Sequence, residues 1–263
     1  MKLRKNLFML PYLFWILLFV ILPLILIVVQ SLFGTDGQFT LTNFVSFFTS
    51  GTYLSMTVNS FIYALIVTVI TLVISYPVAY ILTKLKHSQF FLLLIILPTW
   101  INVLLKAYAF IGLFSQSGWV NQFLGVFGIG PTQLLFTDFA FIFVASYIEI
   151  PFMILPIFNS LKTINGEYIH AANDLGATRF QTFTKVIWPL SLDGVKSGIQ
   201  SIFIPTLSLF MITRLIGGNR VITLGTAIEQ HFLTTMNWGM GSTIGVILMV
   251  IMIASMKLTN GSK

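Results

Sequence analysis

The sequence predicts an all-α integral membrane protein with six transmembrane helices. Hydrophobic residues make up 57% of the 263 residues and charged residues only 8%, whereas a soluble domain carries about 25% charged residues. A helix needs about 20 mostly apolar residues to cross a bilayer, and backbone groups in hydrocarbon require partners within their own segment. We therefore predict one membrane domain, 1–263, in which the spans cover about 8–31, 56–83, 89–113, 137–160, 189–213 and 239–257.

The first of these stretches has two interpretations. The basic residues Lys2, Arg4 and Lys5 precede it, as in a signal peptide. The uncharged run from Asn6 to Thr35 is, however, much longer than a signal-peptide core of roughly 7–15 residues. No small-residue cleavage site follows the run, so we expect a retained membrane helix.

Positive charge is distributed unevenly among the connections between spans. Eleven of the fourteen Lys and Arg residues lie near the termini, in the second-to-third and fourth-to-fifth connections or, for Lys196, just beyond the latter. The positive-inside rule therefore predicts that both termini are cytoplasmic. Arg214 and Arg220, in the fifth-to-sixth connection, depart from this pattern, and a re-entrant or partly buried loop would explain them.

The predicted outer connections also contain helical segments. Residues 117–131 have the composition of a short interfacial helix that ends at Gly and Pro. Gly217-Gly218 indicates a turn, and 222–233 is typical of a short amphipathic helix. Six prolines fall within predicted spans and are expected to shape the helices. Those in the fourth and fifth spans could alternatively shape a gated pathway; the six are Pro23, Pro77, Pro98, Pro151, Pro156 and Pro205.

The fourth-to-fifth connection, 161–188, is a polar segment between two apolar stretches. Its first part, Glu167 to Leu175, has helical composition, and Gly176 can end that helix with a positive φ. Thr178 to Ile187 would form a second short helix, and Pro189 would open the fifth span. We predict a compact helix–turn–helix on the inner face of the membrane, the alternative being an ordinary amphipathic loop.

The motif in this connection gives a specific resemblance. The segment His170-Ala171-Ala172-Asn173-Asp174-Leu175-Gly176 has Pro189 thirteen positions after its glycine. It resembles the cytoplasmic "EAA" loop of type I ABC-importer permeases, which has Glu-Ala-Ala, a Gly six positions after the Glu and a Pro thirteen after the Gly. The Ala-Ala, the Gly and the Pro are in register, and His170 replaces the Glu.

The wider chain is also similar to this family, over roughly 7–257. The similarity includes Tyr76-Pro77-Val78-Ala79-Tyr80, the third-span segment Leu97–Ala109, Pro151–Pro156 and Ile222–Gly225. Within the family the chain most resembles the first permease subunit of spermidine/putrescine importers. Permeases for iron, thiamine or oxyanions share much of the same pattern and remain alternatives.

The resemblance implies a type I permease fold in a bacterial inner membrane and a set of partners. These are a second permease subunit that completes a heterodimer, two ATPase subunits, an extracytoplasmic substrate-binding protein and membrane lipid, without nucleic acid. The ATPase-coupling residues would be Glu167, His170, Ala171, Ala172, Asp174, Leu175, Gly176 and Arg179. The chain lacks the G-x-x-x-x-G-K-[ST] phosphate loop. We therefore expect no catalytic residue and no cofactor on it, with ATP and Mg on the partner ATPase.

Among the ionisable residues inside predicted spans, Lys106 of the third and Glu149 of the fourth bear on function. A charge at the bilayer centre costs about 2.5–3.5 kcal/mol on insertion scales, so each needs a partner or water. They could form an ion pair, or Glu149 could lie on a cation pathway. Aromatic faces attract amines, and Tyr147, Trp100 and Tyr108 are the candidate faces, although such residues also serve as interfacial anchors.

Other functional classes find little support in the sequence. A secondary transporter would need its own coupling-ion site, and the spans contain few carboxylates. An intramembrane enzyme would need a motif such as H-E-x-x-H or G-x-S-x-G, and neither is present. No cysteine occurs and the histidines lack metal-ligand spacing, so we predict no metal site.

Overall fold

The computed structural model describes the backbone of residues 2–260 and the side chains of 9–218 and 220–257. The basic side chains at 2, 4, 5 and 263 lie outside the described residues. Over the described range the fold is all helical, with one isolated β-bridge between Phe33 and Phe39. The α-helices are α1 Lys2–Ile16, α2 Leu22–Gln30, α3 Thr42–Thr49, α4 Gly51–Lys84, α5 Ser88–Ile96, α6 Val103–Phe114, α7 Trp119–Val126, α8 Asp138–Thr163, α9 Gly166–Asp174, α10 Arg179–Thr182, α11 Trp188–Leu207, α12 Leu224–Leu233 and α13 Trp238–Asn260.

Four helical stretches are long and apolar enough to cross a membrane, and a bent helix pair would make a fifth. The four correspond to the first, second, fourth and sixth predicted spans; they are Met9–Gln30, Gly51–Lys84, Asp138–Lys162 and Trp238–Lys257. The predicted outer helices are also present, as α7 and α12. The first span includes a π-helical turn that joins α1 to α2.

The third predicted span, 89–113, is not one continuous helix. Ser88–Trp100 and Val103–Val126 meet at an angle of 88°. Pro98 lies in a 3₁₀ turn at the end of the first arm, where its missing N–H weakens the helix ladder. The side-chain oxygen of Asn102 then accepts a hydrogen bond from the Leu104 N–H at 2.8 Å and begins α6 as a helix cap. The predicted span 89–113 is therefore a bent pair of helices, and the bend lies next to Pro98, one of the prolines expected to shape the spans.

The fifth predicted span, 189–213, also differs from the observed helix. α11 ends at Leu207, two residues after Pro205, and a π-helical turn follows only at Thr213–Gly217. Asp193 and Lys196 lie within α11, which is not among the four stretches that are apolar enough to span on composition alone. α11 is held in the bundle by its packing against α8 and α4.

The main core lies where α8 packs against α4 and α11. Gly194 and Gly198 of α11 form a G-x-x-x-G pattern that lets the two helices approach closely. A Cβ on Gly194 would lie 2.7 Å from the Pro156 carbonyl oxygen, and one on Gly198 would lie 2.5 Å from Met153 Sδ. This pattern was present in the sequence but did not enter our prediction.

A second core packs around α13, which contacts α2, α3, α11 and α12. The buried side chains there include Phe47, Leu207, Leu224 and Ile244. The Thr243 hydroxyl on α13 donates to the Ser31 carbonyl at 3.2 Å, which ties α13 to the end of the first span. The two cores place the polar connection 161–188 at one end of the bundle, and α12 at the other end.

Candidate functional site

The polar connection begins with a capped helix, α9. The Asn165 side-chain oxygen accepts a hydrogen bond from the Glu167 N–H at 3.1 Å, and the Asn165 amide donates to Glu167 Oε2 at 3.0 Å. Such a cap satisfies an orphan donor of the first turn. Ile169 packs against the main core. The helix is therefore fixed at its start and along the face that carries Ile169, and most of its other side chains are exposed.

The turn after α9 has the geometry that the sequence predicted for Gly176. Its φ is +78°. The Ala177 N–H donates to the Ala172 carbonyl at 3.0 Å, and the Gly176 N–H donates to the Asn173 carbonyl at 2.9 Å. These two bonds define a Schellman motif, in which the left-handed residue is usually glycine.

The second helical segment is continuous with α11. Thr178 and Gln181 form a capping box at the start of α10, with bonds of 3.3 and 2.9 Å. A π-helical turn, Phe183–Ile187, joins α10 directly to α11, with Pro189 in the first turn of α11. The predicted separate helix 178–187 is thus the beginning of a longer rod.

The residues assigned to ATPase coupling form an open surface. Seven of the eight are exposed and Ala172 is half-buried; the exposed ones are Glu167, His170, Ala171, Asp174, Leu175, Gly176 and Arg179. Leu175 is 89% exposed, and Phe180, which our prediction omitted, is 76% exposed. Large apolar side chains so fully exposed on a polar loop are typical of a docking surface. The coupling role itself stays a prediction.

The two intramembrane charges approach each other without direct contact. Glu149 on α8 is only 7% exposed and interacts electrostatically with Lys106 on α6. No salt bridge within 4 Å joins the two side chains, and Glu149 accepts no hydrogen bond from the described residues. Ser146, one turn earlier on α8, is also buried, and its hydroxyl is without a hydrogen-bond partner in the described residues. This stretch of α8 therefore contains polar groups that the described residues do not satisfy.

The three aromatic residues of the predicted substrate pathway are exposed, in contrast to Glu149. Trp100 is 75% exposed, Tyr108 59% and Tyr147 43%. Tyr147 and Lys106 line a cavity of about 220 Å³ inside the bend between α5 and α6. Glu149 is not among its lining residues, so the chain brings the aromatic faces and the carboxylate to different surroundings.

Arg214 and Glu229 form an ion pair that the sequence did not predict. Their Nη1 and Oε1 atoms are 2.6 Å apart, and both residues line a cavity of about 380 Å³ beside α12. The turn at Gly217-Gly218 brings them together. A Cβ on Gly218 would lie 2.7 Å from the Phe136 ring, so the close approach requires glycine there. The pairing gives Arg214 a counter-charge and accounts for its departure from the charge pattern.

The chain is similar to known proteins in both sequence and structure. No protein-family model matches it. It is 33% identical over 248 residues to the spermidine/putrescine transport system permease protein PotB of Haemophilus influenzae, with 90% of this chain and 86% of that protein covered. The Escherichia coli K12 protein of the same name is also 33% identical, with 90% of each chain covered.

A solved structure shares the fold at low sequence identity. It is a bacterial alginate ABC transporter in complex with an alginate pentasaccharide-bound periplasmic protein. The TM-score is 0.80 at 18% identity, and the match covers 99% of this chain and 93% of that chain.

Proposed function

The chain belongs to the PotB family of ABC-transporter permeases, and from this membership we propose that it is the membrane subunit of an ATP-driven polyamine importer. The observation that carries the proposal is the 33% identity extending over 90% of the chain. The relatives are described as spermidine/putrescine permeases. Spermidine or putrescine is therefore the proposed cargo, moved inward.

The proposed arrangement in the bacterial inner membrane has six crossings and both termini in the cytoplasm. α11 supplies the fifth crossing, and the bent pair α5 and α6 the third. Basic residues at one end of the bundle support this orientation, because positive charge favours the cytoplasmic side. The connection 161–188 then lies in the cytoplasm, and the Arg214–Glu229 pair lies outside.

The proposed partners follow from what the chain lacks and exposes. It has no phosphate loop for ATP, so two separate ATPase subunits would bind the loop around Gly176, with Leu175 and Phe180 as apolar contacts. A second permease subunit would complete the pathway as a heterodimer. An extracytoplasmic binding protein would deliver the substrate, and the alginate transporter was solved with its own periplasmic protein.

The proposed mechanism is alternating access. ATP binding would draw the ATPase pair together and pull the loops of both permease subunits, and hydrolysis would reset them. ATP shifts the equilibrium by its different affinity for the two states. The continuity of α10 with α11 supports this mechanism, because a pull on the loop is transmitted to a helix that packs on α8.

The substrate contacts proposed for this chain are its exposed aromatic faces, Trp100, Tyr108 and Tyr147. Amines bind over aromatic rings by cation–π attraction, which is stronger where water is excluded. Glu149 is buried in this conformation and would attract the cation at a distance through its negative charge. In another conformation of the transport cycle it would bind the cation directly.

The test is uptake by the reconstituted complex in liposomes. Radiolabelled spermidine and putrescine should accumulate only when ATP is inside and the binding protein is outside. Unlabelled thiamine, an iron chelate and an oxyanion are the competitors, and strong competition by one of them would reassign the cargo. Uptake that continues with a hydrolysis-deficient ATPase, and collapses with the ion gradient, would instead indicate a secondary transporter.

A further inference from the structure

A cavity of about 460 Å³ lies between the polar connection and the adjacent ends of α4 and α8. We call it the inner cavity. It has room for about fifteen waters, at roughly 30 Å³ each. Of the eight residues assigned to ATPase coupling, Arg179 lines the inner cavity and the other seven do not.

Three cations line the inner cavity, and each comes from a different helix. They are Lys84 at the end of α4, Lys162 at the end of α8 and Arg179 at the start of α10. None of the lining residues is acidic. None of the three cations has a carboxylate within 4 Å among the described residues. Three like charges around one space repel each other, and an anion between them would remove that repulsion.

Neutral partners position two of these cations. Lys84 Nζ lies 4.0 Å from the centre of the Tyr80 ring. Lys162 Nζ donates to Ser88 Oγ at 3.2 Å and lies 5.3 Å from the centre of the Phe158 ring. These contacts orient the ammonium groups and leave their charge uncompensated.

One neutral donor adds to the cations. Asn173 uses its oxygen to accept a hydrogen bond from the Thr182 hydroxyl at 3.4 Å. Its amide N–H₂ group is without a partner in the described part of the chain, and Asn173 is one of the residues that line the cavity. The polar half of the inner cavity therefore offers an ammonium pair, a guanidinium and an amide, which is a donor set suited to phosphate oxygens.

The inner cavity also has apolar lining residues, which we call its apolar wall: Leu161, Ile164, Ile169 and Ile187. The combination of apolar wall and basic rim occurs where helix ends meet a membrane surface, and basic pockets between helices on the cytoplasmic side bind phospholipid head groups. We propose that the inner cavity binds the phosphate of an anionic phospholipid, whose glycerol and first methylenes lie on the apolar wall. The assignment of this lipid to the cytoplasmic leaflet rests on the proposed function, and the rest of the proposal does not.

A lipid bound there would join parts that move in transport. It would bridge α9 and α10, which carry the coupling surface, to the ends of α4 and α8. Removing it should loosen the loop from the core. The site thus links membrane composition to the efficiency of coupling.

The direct test measures lipid retention by the full chain, without any ATPase. The chain is released from nanodiscs of mixed phosphatidylglycerol and phosphatidylcholine, and bound lipids are counted by native mass spectrometry. The wild type should retain phosphatidylglycerol preferentially. In K84Q/K162Q the preference should fall by about five-fold for each cation removed, because one basic residue near an anionic surface contributes about 1 kcal/mol. Adding R179Q should lower it further.

The matched control removes as much charge from the same end of the bundle without touching the cavity. Lys86, Lys185 and Lys257 are exposed and do not line it, so K86Q/K185Q/K257Q should retain the wild-type preference. Equal losses in both triple variants would overturn the proposal, because they would indicate a general surface charge effect.

A second arm identifies the source of the phosphate. Inorganic phosphate at millimolar concentration is added to chain held in pure phosphatidylcholine, and thermal stability is followed. A stabilisation that equals that given by phosphatidylglycerol, and is lost in K84Q/K162Q, would overturn the lipid assignment in favour of a soluble anion. Stabilisation by phosphatidylglycerol alone supports it. Neither arm depends on polyamine uptake, so a wrong substrate would leave the result intact.

Discussion

At the residue scale, Gly176 has a φ of +78° and nothing lies within 4 Å of where a Cβ would be. The requirement for glycine is thus conformational and not steric. A β-branched side chain in the left-handed region is disfavoured by roughly 1–2 kcal/mol or more. We predict that Gly176→Val opens the Schellman turn and uncouples ATP hydrolysis from uptake, while membrane insertion is retained.

The control for that substitution lies ten residues earlier, at the start of α9. Gly166 also has open space around it but no positive φ, so Gly166→Val should preserve coupling. The measurement is the ratio of transported substrate to hydrolysed ATP in proteoliposomes. A normal ratio in Gly176→Val would contradict a docking role for the turn.

Glu149 provides a second prediction at this scale. Its carboxylate is buried without an ion-pair contact, so replacement by the neutral amide should leave the chain folded and thermally at least as stable. We expect Glu149→Gln to assemble normally and to transport polyamine more slowly. If it fails to assemble, and the double change with Lys106→Met restores assembly, the two charges are partners in the fold and not part of the pathway.

At the residue scale, the features that could be predicted were those determined by residues close together in the sequence. The glycine turn depends on a few adjacent residues and was visible in the spacing of Gly176 and Pro189. The pairing of Arg214 with Glu229 depends on a tight turn whose backbone approaches Phe136, and nothing in the fourteen intervening residues fixes how that turn is oriented. The unpartnered Ser146 could not be identified either, because burial on α8 is set by its neighbours.

At the scale of elements, long apolar periodicity located four spans within a few residues of their observed ends. The break between α5 and α6 was missed although Pro98 was noted, because an apolar run gives no boundary of its own. Asn102 was the available signal, since a capping residue inside a hydrophobic stretch favours a new helix start. α11 ends at Leu207, before the predicted boundary at 213, for a related reason: Pro205 lies in its last turn and lacks the N–H that would continue the helix.

The contact between α11 and α8 gives the prediction for this scale. A Cβ at Gly194 would meet the Pro156 carbonyl oxygen at 2.7 Å, and a backbone atom cannot move aside cheaply. Gly194→Ala should therefore lower the unfolding free energy by about 1–3 kcal/mol, the usual range for overpacking. Gly245→Ala on α13 is the control, because its nearest neighbour would be Ile27 Cγ2 at 3.8 Å. Thermal unfolding of the purified chain in detergent compares the two, and equal midpoints would contradict tight packing at Gly194.

At the scale of the whole molecule, the number of crossings decides which sides the connections occupy. If α11 crosses the membrane, the loop after α6 and the end of α12 lie on the same side, with the connection 161–188 opposite. If α11 does not cross, the end of α12 lies on the side of that connection. Composition alone does not choose between these arrangements, because α11 carries Asp193 and Lys196, whereas its packing against α8 and α4 favours a crossing.

The absence of cysteine makes the arrangement directly measurable, because any introduced thiol is the only one present. Ser117→Cys, Tyr168→Cys and Leu233→Cys each place a thiol at an exposed position. We predict that a membrane-impermeant maleimide added to intact cells labels positions 117 and 233, and that position 168 is labelled only after permeabilisation. Labelling of all three in permeabilised cells controls for occlusion by partner subunits. Protection of position 233 in intact cells, together with labelling of position 117, would mean that α11 does not cross, and the pull of the loop on a transmembrane helix would have no structural basis.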